Sequence, residues 1–383
     1  MFYKNFLLFI LLALLSTAQE QPNAQIKKDY NDLVMMKTFI EPIPVKWGGK
    51  HILGYELQIF DYQKYELSLF KVEILSGNEP NSILKTYEGE ELTKCFHPYQ
   101  EKEPPLGALV FLWPEFEQRS DIPSKLIHKV YFNKNNPIVL TGAETNISTR
   151  KVPIIGPPLR GSNWAALCGP SNFDYHHRPA FLTFKGRTYN SQRFAVDFLQ
   201  FGDDGYLWPG RTTDAETNYD KYYCYQADVL AVADGIIVDT KEHLPNNPPR
   251  AMYEPLSYDN AAGNYITLQI DEQTYAFYAH NDPGSITVKP GDKVKKGQVI
   301  AKVGNTGASD GTHLHFHMMD FPSFIHSQGI PYEFEEITYQ GKVTASTKEE
   351  MEKLQLYGGP WIKPSNSKSL NNEMIVDMGV YSF

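Results

Sequence analysis

A chain of 383 residues, 42% hydrophobic and 21% charged, holds enough material for two or three domains with their own cores, which excludes a small disulfide-dependent scaffold. Its 24 Tyr and 22 Phe argue against bulk disorder. A formal net charge of −9, with no dense Lys/Arg cluster, excludes nucleic acid as an expected partner and reads as solubility.

At the start, Lys4 precedes an apolar run from Phe6 to Leu15, followed by Ser16, Thr17 and Ala18 and then by polar Gln19, Glu20 and Gln21. This is the pattern of a secretory signal peptide over residues 1–18. An exported product is expected, in the periplasm, the cell envelope or outside the cell. The apolar run is too short for a hydrocarbon layer of ~30 Å, and no other segment reaches the ~18 apolar residues required, so no membrane span is expected. Export permits disulfides, but Cys95, Cys168 and Cys224 allow one internal pair at most. A Cys168–Cys224 bridge and three thiols both remain open. Without any C-x-x-C, a thiolate metal site is not expected.

A polar leader over residues 19–44 is followed by short alternating runs: Tyr55 to Ile59, Tyr65 to Leu69, Val72 to Ile74, Ala108 to Trp113 and Lys129 to Phe132. Period two with Pro and Gly breaks predicts a β-sandwich-like domain over residues 45–150. The Pro-rich stretch from Lys151 to Pro158 predicts a linker or strap over residues 151–169. Strand signals resume over residues 170–345, at Pro179 to Lys185, Thr188 to Leu199, Val229 to Asp239, Tyr265 to Ile270, Thr274 to His280, Val299 to Val303 and His313 to Met318. The chain therefore reads as mainly β. Ser346-Thr347-Lys348-Glu349 has the form of a capping box ahead of a short helix, and residues 346–383 read as that helix and a tail frayed at its end.

Seven of the 11 histidines lie between His176 and His317. In His313-Leu314-His315-Phe316-His317 a strand sends the three imidazoles to one face and Leu314 and Phe316 to the other. Such a row suits a metal, yet one row cannot complete a tetrahedral site. Asp197, in the apolar run Phe194 to Phe198, is the best additional ligand, because an unpaired carboxylate there is costly and a cation offsets the cost.

These residues resemble the lysostaphin and LytM-like zinc endopeptidases that cut bacterial cell-wall peptides. The likeness lies in Ala195-Val196-Asp197-Phe198, the Asp228 to Gly235 run, Tyr278-Ala279-His280, Val294 to Ile300, Gly304-Asn305-Thr306-Gly307 and His313-Leu314-His315-Phe316, and it spans about residues 170–320. The resemblance implies an antiparallel β peptidase domain of the duplicated hybrid motif type, with one zinc ion. Asp197 and His315 would be ligands, and His280 and His313 would handle protons and the oxyanion. Peptidoglycan peptides are the implied substrate.

One departure stands out: the family usually places a ligand His four residues before the Asp, where this chain has Arg193, which cannot bind zinc. Either the metal has been lost or the ligand comes from elsewhere. Residues 179–184 and 188–197 flank Lys185-Gly186-Arg187, which reads as a β-hairpin with a three-residue loop. That register sets His177 opposite Ala195 and diagonal to Asp197, and a one-residue slip would set His176 there instead. His177 is thus the expected third ligand. His176, Arg193 and His317 are expected around the ligands rather than on the ion. His243 and the segment from Tyr206 to Tyr225 read as loops bordering a groove.

The expected function is an exported zinc peptidase acting on peptidoglycan. The alternative, motivated by Arg193, is a catalytically silent wall-binding or regulatory protein. A zinc hydrolase acting on other peptides or esters and, more remotely, a lipoyl-type carrier built on Val288 to Gln298 complete the readings. No His-Glu-x-x-His helix, nucleotide-binding Gly loop or Gly-x-Ser-x-Gly elbow occurs.

Overall fold

The computed structural model describes residues 30, 33–60, 66–96, 107–171, 176–209, 218–248, 251, 257–345 and 348–383. The signal-peptide span, half of the polar leader and the capping-box residues Ser346 and Thr347 lie outside them. The fold is mainly β, and no helix among the described residues is long and apolar enough to cross a membrane.

In the first half, Tyr55–Ile59 pairs with Met36–Thr38 on one side and Ala108–Leu112 on the other. A second sheet runs Ile138–Asn146, Lys125–Phe132, Leu69–Ser76 and Ile83–Glu88. Alternation turns Tyr55, Leu57 and Ile59 of the first sheet and Val72, Ile74, Val130 and Phe132 of the second into one buried cluster, giving the expected sandwich-like layering. The first sheet begins at Met36, inside the span read as leader.

The second half is organised by one large sheet. Its neighbours in order are Ile154–Ile155, Glu333–Val343, Gly379–Ser382, Trp164–Leu167, Val196–Gln200, Leu314–Met319, Thr274–Ala279, Tyr265–Asp271, Gly235–Lys241 and Lys293–Val294. All these pairings are antiparallel except that of Ile154–Ile155. The span read as a linker thus supplies two strands. Trp164, Ala165, Ala166 and Leu167 are almost wholly buried, a burial that outweighs the Pro and Gly signals around them. The tail is likewise woven in: after the helix Lys348–Tyr357, Trp361–Ile362 and Lys368–Glu373 pair with Glu333–Val343, and Val380 and Tyr381 are fully buried.

Two expected strands are broken. The run from Thr188 to Leu199 is interrupted by a turn through Ser191–Phe194, and that from Val229 to Asp239 by a bend at Val232–Asp234. The hairpin register also differs: Phe184 pairs with Arg187, so the loop is the two residues Lys185 and Gly186, both at positive φ. The pairing ends at Leu182 and Tyr189 and never reaches His177. No disulfide joins Cys95, Cys168 and Cys224, all buried.

Candidate metal centre

Three neighbouring strands carry the site. Asp197 sits on Val196–Gln200 directly opposite His315 of Leu314–Met319, and His315 faces Ala279 of Thr274–Ala279 on its other side. Period two places His315 and His317 on one face while Leu314 and Phe316 enter the main core. His313 lies just before its strand, bridged to Gly304, and His280 follows its own strand at a φ of 63°, with its amide donating to the Ala262 carbonyl at 3.1 Å. His177 arrives from the bend that follows residue 175, not from a strand.

Three imidazoles converge on one carboxylate oxygen. Asp197 Oδ1 lies 3.0 Å from His315 Nδ1, 3.3 Å from His177 Nε2 and 3.4 Å from His313 Nε2. A tetrahedral zinc ion with bonds of ~2.0–2.1 Å holds its ligand atoms ~3.3 Å apart, so these separations fit such an ion. His176, His177 and Asp197 also present ligand atoms within 4.8 Å of one another, but His176 is exposed while the other two are buried.

Backbone carbonyls fix the ring orientations. His177 Nδ1 donates to the Cys168 carbonyl at 2.7 Å, His280 Nδ1 to Thr306 at 2.7 Å and His313 Nδ1 to Gly311 at 2.7 Å. A carbonyl only accepts, so each Nδ1 carries the hydrogen and each Nε2 is left with a lone pair. His315 is turned the other way: its Nε2 shares a hydrogen with His317 Nδ1 at 2.9 Å, and its Nδ1 faces Asp197. A donor set of neutral imidazoles and one carboxylate suits zinc.

Burial favours neutral rings here. It holds His315 down at about 4 and, with the other imidazoles adding to it, keeps His280 and His317 well below the ordinary histidine value. Burial acts to raise the Asp197 carboxyl, but the imidazoles of His177, His313 and His315 that face it outweigh burial and hold Asp197 well below the usual carboxylate range. The site thus sets an ionised carboxylate beside the buried, neutral rings of His280, His315 and His317.

An open cleft of about 230 Å³ exposes this centre, lined by His176, Asp197, His280, His313, His315 and His317 together with Gln192, Phe277, Phe324 and small Ala side chains. His177 and Arg193 are not in that lining. Arg193 turns away: its Nε and Nη2 donate to the Glu56 carboxylate at 2.8 to 2.9 Å and its Nη1 to the Gly329 carbonyl at 3.1 Å. His243 does not line the cleft either, but its loop does strap it. Asn247 Nδ2 donates to the carbonyls of Gly307 and Ser309, in the segment whose Thr306 carbonyl holds His280.

Several contributors carried no sequence signal. The Cys168 carbonyl is one. Asp377, from the tail, accepts from the Gly169 amide at 2.9 Å and Ser171 Oγ at 2.6 Å, fixing the segment that presents this carbonyl.

The cleft thus carries a metal-type donor set, with Asp197 and His315 on antiparallel strands and His177 from the bend beside them. Residues 219–326 match the family described as Peptidase family M23. The match takes in His280, His313, His315 and His317 and begins beyond His177 and Asp197. The chain is 36% identical over 90 residues to an uncharacterized metalloprotease of Buchnera aphidicola, covering 24% of this chain and 19% of that protein. It is 33% identical over 109 residues to the peptidoglycan DD-endopeptidase ShyC of Vibrio cholerae, covering 27% and 24%. The matched stretch thus spans a quarter or less of these relatives' lengths. Among solved structures, the lysostaphin catalytic domain of Staphylococcus simulans aligns at 27% identity over 39% of this chain and 80% of that one, with a TM-score of 0.22.

Proposed function

We propose that the chain is a zinc metallo-endopeptidase that hydrolyses peptide bonds of bacterial peptidoglycan, in stem peptides or cross-bridges, in the cell envelope or outside the cell. The observation that carries this reading is the convergence of His177 Nε2 and His315 Nδ1 on Asp197 Oδ1, at 3.3 and 3.0 Å, beside a cleft of a chain that matches the M23 family. In this proposal His177, Asp197 and His315 hold the ion. Zinc bound there supplies Lewis acidity, which polarises a carbonyl and makes water nucleophilic near neutral pH.

The remaining work falls to side chains. His280 and His313, their rings tilted at 58° with centroids 4.8 Å apart and their Nδ1 hydrogens engaged by carbonyls, have Nε2 available to take a proton from the attacking water. The same nitrogen, once protonated, stabilises the oxyanion or delivers the proton to the leaving amine. His317 keeps His315 in the tautomer that leaves Nδ1 for the ion.

The metal-free reading rested on Arg193 standing in a ligand position. That guanidinium is engaged by Glu56, and His177 approaches Asp197 in its stead, so nothing favours the silent alternative. The direct test is incubation of the protein with purified peptidoglycan, with and without a chelator. Peptide release is expected only without chelator, and its absence from the zinc-loaded protein would overturn the proposal.

A further inference from the structure

The strand Tyr55–Ile59 packs Tyr55, Leu57 and Ile59 into the first-half core, so period two turns Glu56 outward. It is nonetheless fully buried, because the peptidase half covers it. Two arginines from that half meet it. Arg193 clamps its carboxylate with Nε and Nη2, and Arg178 reaches the Tyr55 carbonyl at 3.2 Å and comes within 3.8 Å of Glu56 Oε1. The Arg178 guanidinium also lies over the rings of Phe111 and Trp113, both from the first half.

Both arginines adjoin the centre along the chain. Arg178 directly follows His177 and Arg193 precedes Asp197 by four residues, while Asn190 Nδ2 ties their segments together through the Arg178 carbonyl at 2.7 Å. His177 belongs to no strand, so its position depends on what grips residues 176–180. The grip behind it is the Cys168 carbonyl, and the grip ahead of it is Arg178 on the first-half sheet.

We infer that Glu56 is a positioning residue of the metal centre, through which the first-half β-domain holds Arg178 and Arg193 and thereby sets His177 against Asp197. This rests on the zinc reading above. It makes the first half a structural part of the site, with Arg193 serving as its anchor where a ligand was expected.

The test uses the full chain with Glu56→Gln and Glu56→Asp, and two readouts. In the metal-free protein, the downfield imidazole N–H resonance of His177, identified by its loss in His177→Ala, reports the bond to Cys168 without any ion. Zinc affinity is then measured by competition with a chelating dye. Glu56→Gln is expected to shift or broaden the resonance and weaken zinc binding about 10-fold or more, as losses behind a ligand commonly do, with Glu56→Asp largely restoring both. If Glu56→Gln does not fold, Arg178→Met provides the same two readouts with the same expectation. A parent-like resonance and parent-like zinc affinity in the folded variant would overturn the inference. Failure of the parent to bind zinc, with the resonance still sensitive to Glu56, would instead locate the fault in the zinc reading.

Discussion

At the scale of residues, the rings divide by the atoms they turn toward Asp197 and by what holds them. His177 and His315 lie 3.3 and 3.0 Å from Oδ1, and His313 Nε2 lies 3.4 Å from it, with its other nitrogen held by Gly311. Replacing His177, Asp197 or His315 by Ala is expected to abolish stoichiometric zinc. Replacing His280 or His313 is expected to retain zinc and lower kcat by about 100-fold or more, the usual worth of a proton-transfer group. Metal analysis of the purified variants checks the division, and zinc loss in His313→Ala would move that residue among the ligands. The His313 to His317 row and Asp197 were legible because alternation and an apolar setting are local properties. Glu56 was not, since an acid at an outward strand position looks solvated until the partner that covers it is known.

At the scale of elements, the loops around the strands aim the rings. Gly263 and Gly307 pack backbone to backbone at positive φ, and a Cβ on Gly307 would sit 2.3 Å from the Gly263 amide nitrogen. Their neighbour Thr306 accepts from His280, so Gly307→Ala strains the backbone and displaces a ring together. A stability loss of about 2 kcal/mol or more is expected in denaturant titration, with a fall in kcat. The hairpin shows how far element-level reading reached. His177 was expected beside Asp197 through a three-residue loop and a long pairing. The real loop has two residues and the pairing stops at Leu182. His177 approaches Asp197 by another route, through the Cys168 carbonyl and the Arg178 anchor. The break at Ser191–Phe194 was equally invisible, because a long-range ion pair from Arg193 to Glu56 shapes it.

At the scale of the molecule, the two halves share buried surface: Ile43, Val45, Ile52 and Trp113 from the first join Phe194, Val196 and Phe334 of the second in one core. Boundaries read from Pro and Gly punctuation missed this because strands at residues 154–155, 164–167 and 379–382 are fixed by tertiary burial rather than local pattern. Buried neutral histidines give the whole fold a pH dependence, of which His128 offers a case remote from the candidate ligands. It donates to the Ala143 carbonyl and accepts from the Tyr55 hydroxyl, and burial lowers it to about 4 against the ordinary 6.5. The unfolded chain therefore takes up the proton first as pH falls. Its contribution is complete above about 6.5 and lost progressively down to about 4, roughly 3 kcal/mol in all. Urea unfolding at pH 7.5 and 4.5 is expected to show a smaller acid loss in His128→Gln than in the parent, and equal losses would refute the assignment.

The most direct measurement of the central claim is the zinc content of the purified protein by elemental analysis, after saturation with zinc and removal of the excess, beside Asp197→Ala treated identically. One ion per parent chain and none in the variant is the predicted result. A parent that retains no zinc, or a variant that retains as much, would contradict the account.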